Sequence, residues 1–172
     1  MGSIDSRMDA WRAVVTSHAA VTERVQKALA AADLPPLSWF ELLAAVKRSP
    51  SGRPRMSELA ERLTLSRGGI TKLVDRLQDA GYLERVSCAE DRRGLQAELT
   101  PAGEKMLAEM RAVYEAELEP HLRRLSPEEA ELITAALHKV TGSTCDKAHA
   151  AAEESAAEAT DAAAEFASRA PS

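Results

Sequence analysis

The sequence predicts a mainly α-helical chain interrupted once by a small β-hairpin. Three observations carry that reading. Apolar residues recur at i, i+3, i+4 and i+7 over most of the length, as in Ile70, Leu73, Val74 and Leu77. The period changes to alternation only in YLERVS (82–87) and LQAELT (95–100), which flank a charged run ending in Gly94. Helix-start signals of the Ser-x-x-Glu and Thr-Pro kinds stand before the later apolar runs. The expected order is four helices, two strands and two helices. Within it, a short helix, a tight turn, a longer helix and the hairpin constitute a winged helix-turn-helix, with long helices on both sides.

Taken in order, residues 7–32 present Trp11, Val14, Val15, His18, Val21, Val25 and Leu29 on one helical face, and Asp33-Leu34-Pro35-Pro36 ends that helix. Ser38 and Glu41 read as a capping box opening a second helix to about Arg48. SPSGRPR (49–55) is loop by composition. Ser57 caps a short helix over 58–63, and Thr64-Leu65-Ser66 connects it to a helix over 67–80 that closes at Gly81. Thr100-Pro101 starts a long helix to about Arg124, in which Pro120 bends or shortens the end. Ser126-Pro127-Glu128-Glu129 is a second capping box, ahead of a helix over 127–141 expected to bury Ala130, Ile133, Leu137 and Val140. Of the last 30 residues, 143–172, 12 are Ala and only Phe166 is a large apolar anchor, so this tail reads as a frayed helix or a disordered segment. The domain reading is one unit over 7–141, with 7–34 and 101–141 as dimerisation helices, 38–100 as the winged lobe, and 142–172 as an Ala-rich acidic tail.

The formal net charge of −5 argues against a nucleic-acid partner only if it is spread evenly. It is not. From Lys47 to Arg93 there are 11 Lys/Arg against 7 Asp/Glu, a local +4 that leaves −9 for the remainder. Cys88 and Cys145 are too few for a disulfide framework and do not stand at metal-ligand spacing. No Ser/His/Asp order, metal cluster or Gly-rich phosphate loop points to an enzyme, so no catalytic residue, metal or cofactor is expected. Without an apolar signal core or a run of about 18 apolar residues, the chain reads as soluble, cytoplasmic and without a membrane partner.

The helix over 67–80 carries the candidate chemistry. Its inner stripe leaves Ser66, Arg67, Thr71, Lys72 and Arg76 on the outer N-terminal face, donors suited to phosphates and base edges. Gly68 and Gly69 weaken the first turn by about 1 kcal/mol each relative to alanine. Placed where Cβ atoms would face DNA, they allow close approach and leave backbone N–H groups uncovered. The plain alternative is a solvated surface whose cations pair with Asp75 and Asp79. In the hairpin loop, Arg92 and Arg93 are candidates for the minor groove, with Asp91 orienting Arg93.

The run SELAERLTLSRGGITKLVDRLQDAGYLERVSCAEDRRGLQAELTPAGEKML (57–107) closely resembles the MarR family of bacterial transcription regulators. The matching parts are the helix-turn-helix turn, VDRL-x-x-x-GY-x-x-R, the D-R-R wing and L-T-x-x-G; the flanking helices extend the match to about 7–141. The resemblance implies a homodimer with interlocking terminal helices, a pseudo-palindromic double-stranded DNA operator, and for many members release by a small phenolic or aromatic effector. On that reading the chain is a homodimeric repressor; the competing reading is a winged helix used only for protein–protein contact. In the family the effector cleft lies between the dimer helices and the DNA-binding lobe, and the matching positions here are Trp11, Arg12, His18 and Trp39. Each of these also has a plain reading as core or interface. The family's peroxide sensors carry a reactive cysteine in the first helix, where this chain has none.

Overall fold

The computed structural model describes residues 2–87 and 95–141. Its elements are α1 (Gly2–Ala31), α2 (Leu37–Lys47), α3 (Met56–Arg62), α4 (Arg67–Asp79), β1 (Leu83–Ser87), β2 (Leu95–Leu99), α5 (Pro101–Leu122) and α6 (Pro127–Thr141). This is the expected order, and the mainly helical class with one antiparallel hairpin holds. The chain divides into two compact units, one running to Arg123 and one starting at Arg124. The tail beyond Thr141, with Cys145, and the loop 88–94, with Cys88, lie outside the described residues.

In the first unit α2 is the central element. Leu42, Leu43, Ala44 and Val46 are all buried, because α2 packs against α1, α3, α5 and β2. With few aromatics available, the core rests on aliphatic side chains such as Leu29, Leu59, Ile70, Leu77 and Leu83. Each contributes about 1.5–3 kcal/mol by leaving water. Phe40 on α2 stacks on Tyr114 of α5, ring centroids 4.6 Å apart.

Two helix starts differ from the sequence expectation. α2 begins at Leu37 with Pro36 as N-cap and no side-chain cap bond, so Ser38 and Glu41 do not form a capping box. The fixed proline φ of −58° already aims the chain into the helix, and starting there buries Leu37 and Phe40. α3 begins at Met56 rather than after Ser57, with Arg55 as N-cap. The Arg55 N–H is met by the Glu58 carboxylate at 3.4 Å. The cause is pairing with the wing: the Pro54 carbonyl accepts from the Ala97 N–H at 3.1 Å and Arg55 bridges to Gln96, which carries the chain into the helix two residues early.

Other boundaries follow the signals. α4 ends at Asp79, with Gly81 at φ 78° supplying the left-handed closure. The α3–α4 turn is tighter, since Thr64 adopts φ 53°. The hairpin pairs Leu83 with Leu99 and Arg85 with Ala97, putting Leu83 and Ala97 into the core. Thr100 caps α5: its Oγ1 accepts from the Gly103 N–H at 3.0 Å and donates to the Gly81 carbonyl at 2.7 Å. Its own N–H donates to the Tyr82 carbonyl at 3.1 Å. The end of α4, the start of β1 and the start of α5 are thus tied at one residue. α5 continues past Pro120 and stops two residues later at Leu122.

In α1 only the C-terminal part joins the core, through Val25 and Leu29, while Trp11 remains 51% exposed. The second unit contains α6, whose capping box is reciprocal: the Ser126 N–H donates to Glu129 at 2.8 Å and the Glu129 N–H donates to Ser126 Oγ at 3.3 Å. The expectation that α6 buries Ala130, Ile133, Leu137 and Val140 does not hold in the single chain. No residue of α6 is buried, and Leu132 and Val140 are 71% and 69% exposed. The apolar face is present in the sequence, but within its own unit no described element covers it.

Candidate nucleic-acid interface

The helix-turn-helix is α3, the Thr64–Ser66 turn and α4. Ile70, Leu73, Val74 and Leu77 bury the inner face of α4, and this fixes which residues face out. Ser66, Arg67, Gly68, Thr71, Lys72 and Arg76 are all exposed, so one outward surface holds six of the expected contacts. Ser66 Oγ accepts from the Gly69 N–H at 3.1 Å. That bond caps the helix and leaves the Arg67 and Gly68 N–H groups at its open, electropositive end. The Thr71 hydroxyl donates back to the Arg67 carbonyl at 2.8 Å.

The two glycines are not equivalent. A Cβ at Gly68 would meet no atom within 4 Å, as expected for a position that faces outward. One at Gly69 would lie 3.2 Å from Ser66 Oγ, so Gly69 answers to the helix cap as well as to any approaching ligand.

The ion pairs decide against the plain surface reading of α4. That reading has Asp75 and Asp79 pairing with the cations of the same helix. Instead Asp75 pairs with Arg85 of β1. Among the described residues no ion pair engages Arg67, Lys72 or Arg76. Three cations therefore stand unpaired on one face, beside a carboxylate that has been neutralised from the wing side. Asp91, Arg92 and Arg93 lie outside the described residues; β1 and β2, ending at Ser87 and beginning at Leu95, hold the two ends of their loop.

None of the four expected ligand positions lines the cavity that the first unit contains. Trp11 is exposed, and Arg12 pairs with Asp9 of its own helix at 2.7 Å. Trp39 is half-buried and meets Tyr82 edge to face, centroids 5.9 Å apart. His18 is exposed, but its charge reaches Glu41. That cavity, of about 420 Å³, lies between α2, the turn after α3, and α5. Phe40, Glu41 and Ala44 line it from α2 and Arg48 from just past its end, Arg62 from the end of α3, Leu63 and Thr64 from the turn, and Arg111, Tyr114 and Glu115 from α5. Burial pushes the Glu41 carboxyl above its ordinary value, and the charge of His18 partly opposes that. Sequence reasoning missed the arginines of this cavity because they come from three elements with no local spacing to join them. Arg85 was within reach, since it is the last residue of the GY-x-x-R run.

Among the described residues no group of His, Cys, Asp and Glu is placed to hold a metal ion. No described helix is long and apolar enough to cross a membrane.

Comparison with known proteins agrees with this geometry. Residues 32–94 match the MarR family. An uncharacterized HTH-type transcriptional regulator of Bacillus subtilis (strain 168), YfiV, is 34% identical over 85 residues, or 48% of this chain and 51% of that protein. The chain thus spans about half the length of that curated relative. Among solved structures, AbsC, a MarR family transcriptional regulator from Streptomyces coelicolor, superposes with a TM-score of 0.72 at 27% identity over 80% of this chain and 93% of its own. Sco3205, a MarR family transcriptional regulator from the same organism solved in complex with DNA, gives 0.70 at 25% identity over 78% of this chain and 88% of its own.

Proposed function

We propose that this chain, which is similar to MarR family transcriptional regulators in sequence over residues 32–94 and in fold, is a sequence-specific, double-stranded-DNA-binding transcriptional repressor acting in the cytoplasm as a homodimer. The observation that carries this reading is the outward face of α4, where Arg67, Lys72 and Arg76 are exposed and unpaired among the described residues while Asp75 is held by Arg85. Cations left free along the outward face of a capped helix suit phosphates and base edges. A module used only for protein contact has no need of them.

The homodimer is supported by apolar surface that a lone chain leaves in water. Met8, Trp11 and Val15 are exposed on α1, as are Leu132, Ile133 and Val140 on α6. Two-fold symmetry would set two recognition helices about 34 Å apart, matching a pseudo-palindromic site of one helical turn between half-sites. The dimerisation ranges 7–34 and 101–141 and the winged lobe 38–100 remain the domain reading. A small aromatic or phenolic acid is the proposed effector. The cavity beside Phe40 and Tyr114 is of a size that suits a small ligand, since such sites span roughly 300–1,000 Å³. Its stacked rings suit an aromatic face, and Arg48, Arg62 or Arg111 can pair bidentately with a carboxylate.

Selection of duplexes from a random pool, followed by a salt titration on the winner, tests the reading. Binding should weaken steeply as salt rises, because each neutralised phosphate releases counterions. An affinity that does not change with salt refutes it. Repeating the titration with aromatic acids tests the effector: a wild-type operator affinity that no acid weakens, alongside binding that persists, refutes only that part.

A further inference from the structure

Arg85 is not on the recognition helix, yet it makes two contacts there. It stands in β1, opposite Ala97, with most of its side chain buried. Its Nη2 pairs with Asp75 and approaches the Thr71 carbonyl at 3.4 Å. Thr71 and Asp75 lie on the same outward row of α4 as Arg67, one helical turn apart. Among the described residues the buried Nε–H of Arg85 meets no acceptor. The fork is turned toward α4 by its far end.

We propose that Arg85 is a positioning residue that fixes the wing strand against α4, so that the recognition helix and the wing meet one duplex at a set angle. The proposal rests on the DNA-binding reading above. It also accounts for Asp75, an acidic residue on a face that is otherwise cationic. Left unpaired, a carboxylate there repels phosphate. Paired with Arg85, it becomes the anchor by which β1 holds the helix. Because both anchors are on the outward row, a change in their geometry moves DNA-facing groups while the buried stripe of Ile70, Val74 and Leu77 stays in place.

Asp75→Asn separates this from simple electrostatics. Removing a negative charge from the face should by itself tighten binding to any duplex. If the clamp positions the helix, binding to the selected duplex instead weakens about ten-fold, a typical coupling for contacting residues. Binding to a scrambled duplex of equal composition should be unchanged or tighter, and the salt slope unchanged. Arg85→Gln should lose discrimination similarly, and the double variant should lose less than the product of the single losses. Arg85→Lys, which keeps the charge but not the fork, should also lose discrimination. All of these are read in variants whose thermal unfolding midpoint is compared with wild type. Loss of discrimination at an unchanged midpoint supports positioning. The proposal is overturned if Asp75→Asn binds the selected duplex as tightly as wild type. It is overturned equally if Arg85→Gln weakens both duplexes alike and lowers the salt slope by about 1, the mark of a direct phosphate contact. Wild-type protein that shows no salt-dependent duplex binding refutes the DNA reading itself, a separate result.

Discussion

Replacing Gly103 with alanine puts a methyl group where the Tyr82 backbone already lies. An ideal Cβ at residue 103 falls 2.0 Å from the Tyr82 carbonyl oxygen and 3.0 Å from its carbon. Ordinary contact is about 3.5 Å, so roughly 1.5 Å must be recovered by moving α5 or the carbonyl. That carbonyl accepts from the Thr100 N–H at 3.1 Å, and Thr100 also caps the helix through the Gly103 N–H. Movement therefore strains the cap. Overpacking costs about 1–3 kcal/mol and a lost hydrogen bond about 1 kcal/mol, against a gain of about 1 kcal/mol in helix propensity. The expected net loss is about 1–3 kcal/mol. Urea unfolding followed by circular dichroism measures it. In a thermal scan the same loss lowers the midpoint by roughly 2–12 °C for a chain of this size. Stability equal to or above wild type refutes the steric account of Gly103.

At Gly68 the opposite outcome is expected: with no neighbour within 4 Å, Gly68→Leu should leave stability unchanged or raise it by about 0.5–1 kcal/mol while impairing operator binding. Equal loss of both, measured by urea unfolding and duplex titration, would assign the glycine to packing. Thr64→Gly relieves a β-branched residue at φ 53° and should raise stability by about 1 kcal/mol; a lower unfolding midpoint would mean the threonine side chain outweighs the strain. Burial raises the Glu41 carboxyl above its unfolded value near 4.5, so the folded chain keeps this proton to higher pH. The stability this group contributes is fully present below that unfolded value and is lost as pH rises through its raised folded value. Glu41→Gln should flatten that part of the stability–pH curve, and an unchanged slope across the window would remove Glu41 as its source.

The fold was legible where one local signal set each element. Thr100-Pro101, Ser126-x-x-Glu129 and Gly81 act within their own turns, and all three stand where the sequence puts them. The start of α2 differs because the adjacent Pro36 outweighs the Ser38 cap, and that of α3 because distant contacts outweigh the Ser57 cap. Pro54 and Arg55 answer to Ala97 and Gln96 across the wing, a pairing that neighbours in sequence cannot reveal. The same division holds at the site. The outward face of α4 follows from its buried stripe, so Arg67, Lys72 and Arg76 were readable from the period alone. The pairing of Asp75 with Arg85 was not, since α4's own cations were nearer in sequence. The cavity was least legible of all, being assembled from α2, a turn and α5, whereas Trp11, Arg12, His18 and Trp39 were carried over from the family resemblance.

The knot of hydrogen bonds at Thr100 also sets a lever. α5 has 22 residues, a rod about 33 Å long at 1.5 Å per residue. A tilt of about 10° at its first turn displaces its far end by about 6 Å. That is nearly two base-pair steps at about 3.4 Å each. In a dimer joined through the far ends of such arms, the spacing of the two reading heads would depend on the angle held by a single threonine.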